Sequence, residues 1–377
     1  MSAIDELAGI AWGAAPGRPS RPVIGVIGRD VPLELVEAAG AAPLTLRGDP
    51  SIDLGPADTL LGTGLDPAAR AILAQLLGTG FAGLDALVAC TDCEGSVRVF
   101  YALRELARVR SDLGIPPVHL VDVAHLPRES SRRYTTLRLA ELRAVLSDWT
   151  GRAADDDRLA DAIVQRDEVR RRLVALDALR RRDPPWCTGS ELLAAATAAR
   201  RATAAEVLPL LDRVLTEAGP PDRTDGSGRT DTTGGRRVLL TGSAHGEPGV
   251  TAAIEASGGV VVADDHPTGA LGLDLTCESP TLEALAARTA ADGVTPQRGR
   301  TADRAAQTAR LVAERDAEVV IAYVRCLDEA PLWDAAAQRD ALDVPLVLLR
   351  DQDHGAVDRD ALAAALDRAT TPGDRPR

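Results

Sequence analysis

Two stretches of this chain alternate short apolar runs with Ala- and Leu-rich amphipathic segments, and that alternation restricts the fold more than any other feature. In the first, "PVIGVIGRDVPLELVEAAGAAPLTLRG" (22–48) reads as a strand, a turn holding Pro32, a helix from Leu33 to Ala39 and, after Gly40, a second strand from Pro43. "LDALVAC" (84–90), "EGSVRVFYALRELARV" (94–109) and "PPVHLVDV" (116–123) continue as strand, helix and strand. Strands that alternate with helices build a parallel sheet with helices on its faces. The second stretch repeats the plan, with strands in "RRVLLTGS", "VVVADD", "AEVVIAYVRC" and "VPLVLLRDQD". Helices are expected in "GVTAAIEASG", "PTLEALAARTA", "RTADRAAQTARLVAERD", "APLWDAAAQRDALD" and "RDALAAALDRAT".

Between these stretches the pattern changes to long helical segments rich in Arg, Ala and Leu, broken at Gly151 and at "DPPWCTGSE". Residues 218–236, "AGPPDRTDGSGRTDTTGGR", are Gly, Pro, Thr and Asp with almost nothing apolar, the composition of a flexible linker. A chain of 377 residues has room for two ordinary domains. The expectation is an α/β protein of two Rossmann- or flavodoxin-like parallel-sheet domains joined by a helical region. The divisions fall at 1–128 for an N-terminal α/β domain, 129–217 for a helical bridge, 218–236 for the linker and 237–377 for a C-terminal α/β domain. With only 2% aromatic residues, the cores must be built from Ala, Val and Leu.

Several function classes fall away. A net charge of −13 repels nucleic-acid phosphate, so no nucleic-acid partner is expected. No run of about 18 apolar residues offers a membrane span, and the opening "MSAIDELAGIAWG" carries acidic residues unlike a signal peptide, so a cytoplasmic location without membrane attachment is expected. Neither "GVIGRD" nor "TGSAHGEPG" fits G-x-G-x-x-G, and the chain has no Lys to complete a P-loop. No H-E-x-x-H or comparable histidine pair points to a zinc hydrolase.

In open parallel sheets, ligands gather beyond the carboxyl ends of the strands. That rule selects Gly28 to Pro32, Cys90 to Cys93, Ser243 to Glu247, Asp264 to Gly269, Cys326, and Asp351 to His354. Five cysteines, an odd and sparse set, argue for reduced thiols over a disulfide framework. Cys90 and Cys93 form a C-x-x-C where a strand meets a helix, and a helix N-terminus is expected to favour thiolate, the metal-binding form. Three readings stay open for the pair: metal or cluster ligands, a thiol redox couple, or buried thiols that pack like alanine. Cys326 closes a strand at the matching place in the second domain, where a cleft would bring a third thiolate to the first two. Cys187 reads as incidental, and Cys277 as a packing residue with fourth-ligand duty the alternative. Asp264, Asp265 and His266 stand together at a strand end and suit either substrate binding and acid–base work or a solvated turn.

The combination resembles the 2-hydroxyacyl-CoA dehydratase and benzoyl-CoA reductase family. "VPLELVEAAGAAPLTLRG" is similar to that family's P-x-E-L-x-x-A-A-G-x-x-P opening, "LDALVACTDCEGSVRVFY" to its strand ending in a cluster-binding cysteine, and "AYVRCLDEAPLWDAAAQRDALDVPLVLLRDQD" to its second domain. The resemblance runs from about Pro22 to Asp353. It implies a [4Fe-4S] cluster held by three cysteines in an interdomain cleft, with Cys93 the first ligand and Cys326 the last. The middle ligand lies in a D-D-x-C-x-G pattern, and here Pro267 stands where the cysteine should be. The third ligand is taken as Cys90, with Cys277, His266 or loss of the cluster as alternatives. The resemblance further implies a homologous partner subunit in a homo- or heterodimer, an ATP-dependent activator protein that donates one electron, and an acyl-thioester substrate. The chain would then be an iron–sulfur subunit of a dehydratase, a lyase, or of an acyl-CoA reductase, an oxidoreductase. A non-catalytic or electron-relay partner of a homologous catalytic chain is the alternative, and a Cys90/Cys93 thiol oxidoreductase the second.

Overall fold

The computed structural model describes residues 2–13, 21–79, 81–182, 184–219, 235–291 and 293–368. Elements follow in the order α1 (Ala3–Trp12), β1 (Val23–Ile27), α2 (Leu33–Ala38), β2 (Ala42–Thr45), α3 (Gly55–Leu61), α4 (Pro67–Thr79), β3 (Ala86–Cys90), α5 (Glu94–Val109) and β4 (Val118–Val121). Four helices come next, α6 (Glu129–Thr150), α7 (Asp156–Ala178), α8 (Gly189–Arg201) and α9 (Ala204–Ala218). The last described elements are β5 (Arg236–Gly242), α10 (Gly249–Ala256), β6 (Gly259–Asp264), α11 (Leu282–Ala290), α12 (Thr301–Arg315), β7 (Val319–Arg325), α13 (Ala330–Asp340), β8 (Leu346–Gln352) and α14 (Arg359–Arg368). Apart from its ends, in α9 and β5, the linker expected over 218–236 lies outside the described residues. None of the described helices is long and apolar enough to cross a membrane.

Both sheets are parallel, ordered β2-β1-β3-β4 and β6-β5-β7-β8. The α/β architecture with two parallel sheets is therefore as the alternation implied. Of the central strands, β1 (VIGVI), β3 (ALVAC) and β7 (VVIAYVR) are buried along their whole length, and β5 is buried from Val238 to Gly242. Strands covered on both faces need apolar residues at every position, which explains the absence of polar alternation. The outer strands β4 and β8 carry half-buried and exposed positions instead.

The chain forms two compact units, each built from separate pieces. Unit 1 comprises Met1–Arg172, Thr197–Asp212 and Gly272–Asp292; unit 2 comprises Leu173–Ala196, Arg213–Leu271 and Gly293–Arg377. In unit 1, one face of the sheet packs Ile24, Val26, Val88 and Cys90 against Leu139, Leu142 and Leu146 of α6 and Leu285 and Ala286 of α11. The other face packs Leu87 and Ala89 against Leu73 of α4 and Val99 and Leu103 of α5. Each Leu or Val so buried contributes about 1.5–3 kcal/mol relative to exposure. Unit 2 sets Leu240, Ile321 and Tyr323 against Ile254 of α10 and Leu362 of α14, with Leu239, Val262 and Val320 on the opposite face. α11 follows β6 in sequence, yet its apolar stripe completes the core of unit 1.

Candidate functional site

In each sheet the strand order reverses between the first and third strands, so the crevice lies at the carboxyl ends of β1 and β3 in unit 1 and of β5 and β7 in unit 2. In unit 1 it is bounded by the loop Gly28–Pro32 and by Thr91, Asp92 and Cys93. Cys90, the last residue of β3, is 0% exposed. Its Sγ accepts the Asp30 N–H at 3.3 Å and donates to the Ile27 carbonyl at 3.5 Å, a pairing that a neutral thiol satisfies at both ends. Gly28 passes over it at φ +90°, where an added Cβ would come within 2.4 Å of that sulfur. Burial, then the carboxylates of Asp92 and Asp30, push the Cys90 thiol well above its usual range.

Cys93 is the N-cap residue of α5 and is partly exposed, with Sγ 3.4 Å from Ser96 Oγ. Burial, followed by Asp92, pushes it up to about 12, although Ser96 pulls the other way. The thiolate expected at this helix N-terminus is thus a neutral thiol: loss of water and an adjacent carboxylate outweigh the helix dipole. Asp92 is anchored by the Arg29 N–H at 2.8 Å. Beside this crevice, His125 places Nε2 2.7 Å from Asp30 Oδ2 and Nδ1 3.0 Å from the Ala290 carbonyl at the end of α11. With both ring nitrogens facing acceptors, His125 ties α11 to the β1 loop and leaves no nitrogen for a substrate.

Glu34, inside the run "VPLELV", is fully buried and paired with Arg170 and Arg288. Burial alone would raise its pKa, but the two guanidinium groups reverse that and hold the carboxyl well below the usual range. Cys277 packs partly buried against the core of unit 1, its N–H on Asp167 Oδ2 at 3.0 Å, and burial raises its thiol. Cys187 is buried in unit 2, its Sγ 3.4 Å from the Leu176 carbonyl.

In unit 2, Cys326 follows β7 directly, is partly exposed, and donates its N–H to the Gln352 carbonyl at 2.8 Å. Leu327 beside it adopts φ +66°, an uncommon conformation for a branched residue. The loop after β6 closes on itself. Asp264 binds Arg180 and accepts the Ala270 N–H, and Thr268 Oγ1 accepts the His245 N–H at 3.1 Å and donates to the His245 carbonyl at 2.6 Å. His266 is buried, with Nδ1 3.0 Å from Thr268 Oγ1 and its ring 4.0 Å from the ring of His245. The cluster Asp264–Asp265–His266 is therefore no solvated turn; Asp265 is itself buried on Arg304.

Among the described residues no three His, Cys, Asp or Glu side chains are grouped as metal ligands are. More informative is which donors stand at the strand ends. Unit 1 offers Cys93, since Cys90 has no open face; unit 2 offers Cys326, since His266 is enclosed and Pro267 has no donor atom. Taken unit by unit, these residues do not fit a three-thiolate cluster. Arg180 lies in the Arg-rich stretch 170–182, whose matching Asp and Glu suggest a solvated helix face, yet it is fully buried; Arg304 gives no signal in the sequence, and Glu34 shows only as the carboxylate of the P-x-E-L run.

The sequence model for 2-hydroxyglutaryl-CoA dehydratase, D-component, matches residues 30–326, most of the chain and both crevices. The chain belongs to that family. A curated relative, the "Putative dehydratase subunit YjiM" of Escherichia coli (strain K12), is 25% identical over 264 residues, covering 66% of this chain. The matched stretch spans 63% of that relative's length.

Proposed function

We propose that the chain works as one subunit of an acyl-thioester dehydratase, beside a second, homologous chain that carries the electron-transferring centre. The match to the dehydratase D-component family over 30–326 is the observation that carries this reading. The substrate class is a 2-hydroxyacyl thioester, and an ATP-dependent activator delivers one electron to the partner chain. The strand-end loops 28–32 and 91–93 in unit 1, and 243–248 and 326–329 in unit 2, are where this subunit contributes contacts. The Cys90/Cys93 redox couple has no support in the geometry, because Cys90 is enclosed and both thiols are held in the neutral form.

The test is to produce this chain alone and together with a second family member from the same genome. Loss of water from a panel of 2-hydroxyacyl-CoA thioesters is then assayed anaerobically with the activator, ATP and a reductant. Turnover that requires both chains is expected. Turnover by the second chain alone, unchanged when this one is added, overturns the subunit role; turnover by this chain alone overturns the need for a partner.

A further inference from the structure

Cluster iron is held by thiolate, or on occasion imidazole, from the protein. Four residues of this chain stand where such donors are called for: Cys93, Cys90, His266 and Cys326. Two of them are committed elsewhere. Cys90 bridges the Ile27 carbonyl and the Asp30 N–H in the core of unit 1, and turning it outward would break both contacts. It would also leave a hollow under Gly28, whose missing Cβ marks how closely the sulfur packs. His266 is held by Thr268 on one nitrogen, lies 3.8 Å from Asp264 Oδ1 with the other, and is covered on its face by His245.

The loop around His266 has no slack from which to release it. Asp264 is fixed by Arg180, itself fully buried, and Thr268 makes two bonds to the backbone of His245. At Gly269 an added Cβ would lie 1.9 Å from Asp264 Oδ1 and 2.9 Å from His266 Cε1. The strand end that in the D-D-x-C-x-G pattern presents a thiol is here a closed, internally bonded turn with a proline at the ligand position.

We infer that this chain holds no three-thiolate [4Fe-4S] cluster of its own, and that the substitution responsible is the proline at 267. No extra donor compensates: the thiol of Cys90 and the imidazole of His266 are structural parts of their units, and Cys277, away from the strand ends, packs against the core of unit 1. The inference rests on the subunit reading above and gives it a division of labour, in which this chain shapes the site and the partner transfers the electron.

The experiment uses the full chain, purified and reconstituted anaerobically with ferrous iron and sulfide. Iron, acid-labile sulfide and visible absorbance are read for the parent, Cys93→Ala, Cys326→Ala and Pro267→Cys, with circular dichroism to check folding. The parent is expected to retain less than about one iron per chain against about four for a cluster, unchanged by either alanine variant. Pro267→Cys is expected to gain several irons and the cluster absorbance, lost again when Cys326→Ala is added. A parent that holds about four irons, lost on Cys93→Ala and Cys326→Ala, overturns the inference. A folded Pro267→Cys that stays free of iron overturns the assignment to position 267. Iron is read on this chain alone, so a cluster-bearing chain that still needs its partner for turnover would overturn this inference and leave the subunit role standing.

Discussion

Replacing Arg304 with methionine tests the buried polar centre of unit 2. Arg304 is 0% exposed and all five of its N–H groups are bonded. Nε donates to Asp334 Oδ2 at 3.1 Å; Nη1 donates to the carbonyls of Asp265 and Val294 at 3.3 and 3.0 Å; Nη2 donates to Thr241 Oγ1 and Asp265 Oδ1 at 3.1 and 3.2 Å. Methionine keeps most of the volume and removes every donor. Two buried carboxylates then face each other without their cation, and removing one partner of a buried ion pair costs about 3–5 kcal/mol. Asp265 keeps the Thr308 hydroxyl at 2.9 Å and Thr241 keeps Gln338, so the losses centre on the carboxylates and on the Asp265 and Val294 carbonyls. A figure near the upper end is expected, a large share of the roughly 5–15 kcal/mol that stabilises a typical domain. Urea unfolding followed by circular dichroism at several pH values measures it. The deficit should shrink as pH falls, because a protonated carboxyl tolerates burial. The parent already leans that way, since burial raises the pKa of Asp334 despite Arg304. Adding Asp265→Leu and Asp334→Leu to Arg304→Met should recover much of the loss, as apolar replacements of buried ion sets do. A loss under about 1 kcal/mol for Arg304→Met alone, where a broken buried pair costs several times more, refutes the reasoning.

Burial, then the neighbouring His266, lowers the pKa of His245 well below that of a free imidazole. Its contribution to stability is complete above the unfolded value of about 6.5 and drains away as pH falls below it, by up to about 1.4 kcal/mol per pH unit. Urea midpoints between neutral and mildly acidic pH should show that slope in the parent and a flatter one in His245→Gln; equal slopes would assign the loss to other groups. Gly28→Ala combines a left-handed φ with a Cβ 2.4 Å from Cys90 Sγ, and a cost of about 2–5 kcal/mol is expected, partly recovered by Cys90→Ala in the same chain. Thermal or urea unfolding within about 0.5 kcal/mol of the parent would contradict that packing. With its thiol near 12, Cys93 should react with iodoacetamide at pH 8 roughly a thousandfold more slowly than a free cysteine. Mass spectrometry over time reads the rate, and labelling as fast as a model peptide would remove the argument for a neutral thiol.

The central strands were legible because nothing polar interrupts "LDALVAC" or "AEVVIAYVR", and a strand buried on both faces writes that pattern directly into the chain. The amphipathic spacing in "LEALAARTA" also revealed α11 as a helix. It could not say which core the stripe of Leu282, Leu285 and Ala286 enters, since periodicity describes one face and carries no address. Spacing was equally silent on the two thiols of C-x-x-C. Cys90 still belongs to the strand and points into the core, whereas Cys93 lies past the turn, so three positions separate an enclosed thiol from a partly exposed one. The ionisation of Cys93 is illegible in the sequence for a related reason. The helix N-terminus is visible in the sequence, but the burial and the orientation of Asp92 that outweigh it exist only once the loop has folded.

The return of α11 to unit 1 orders events during synthesis. The first sheet and α6 leave the ribosome early, yet Leu285 and Ala286, which complete that core, are made only after β5 and β6 of the other unit. At about 5–20 residues per second, the wait lasts on the order of ten seconds or more. Through that interval the apolar flank of α6 is a surface seeking cover, and unit 1 can be neither finished first nor recovered whole by cutting the chain before α11. Maturation is therefore joint: the earlier half reaches its final form only when the later half has supplied its missing helix.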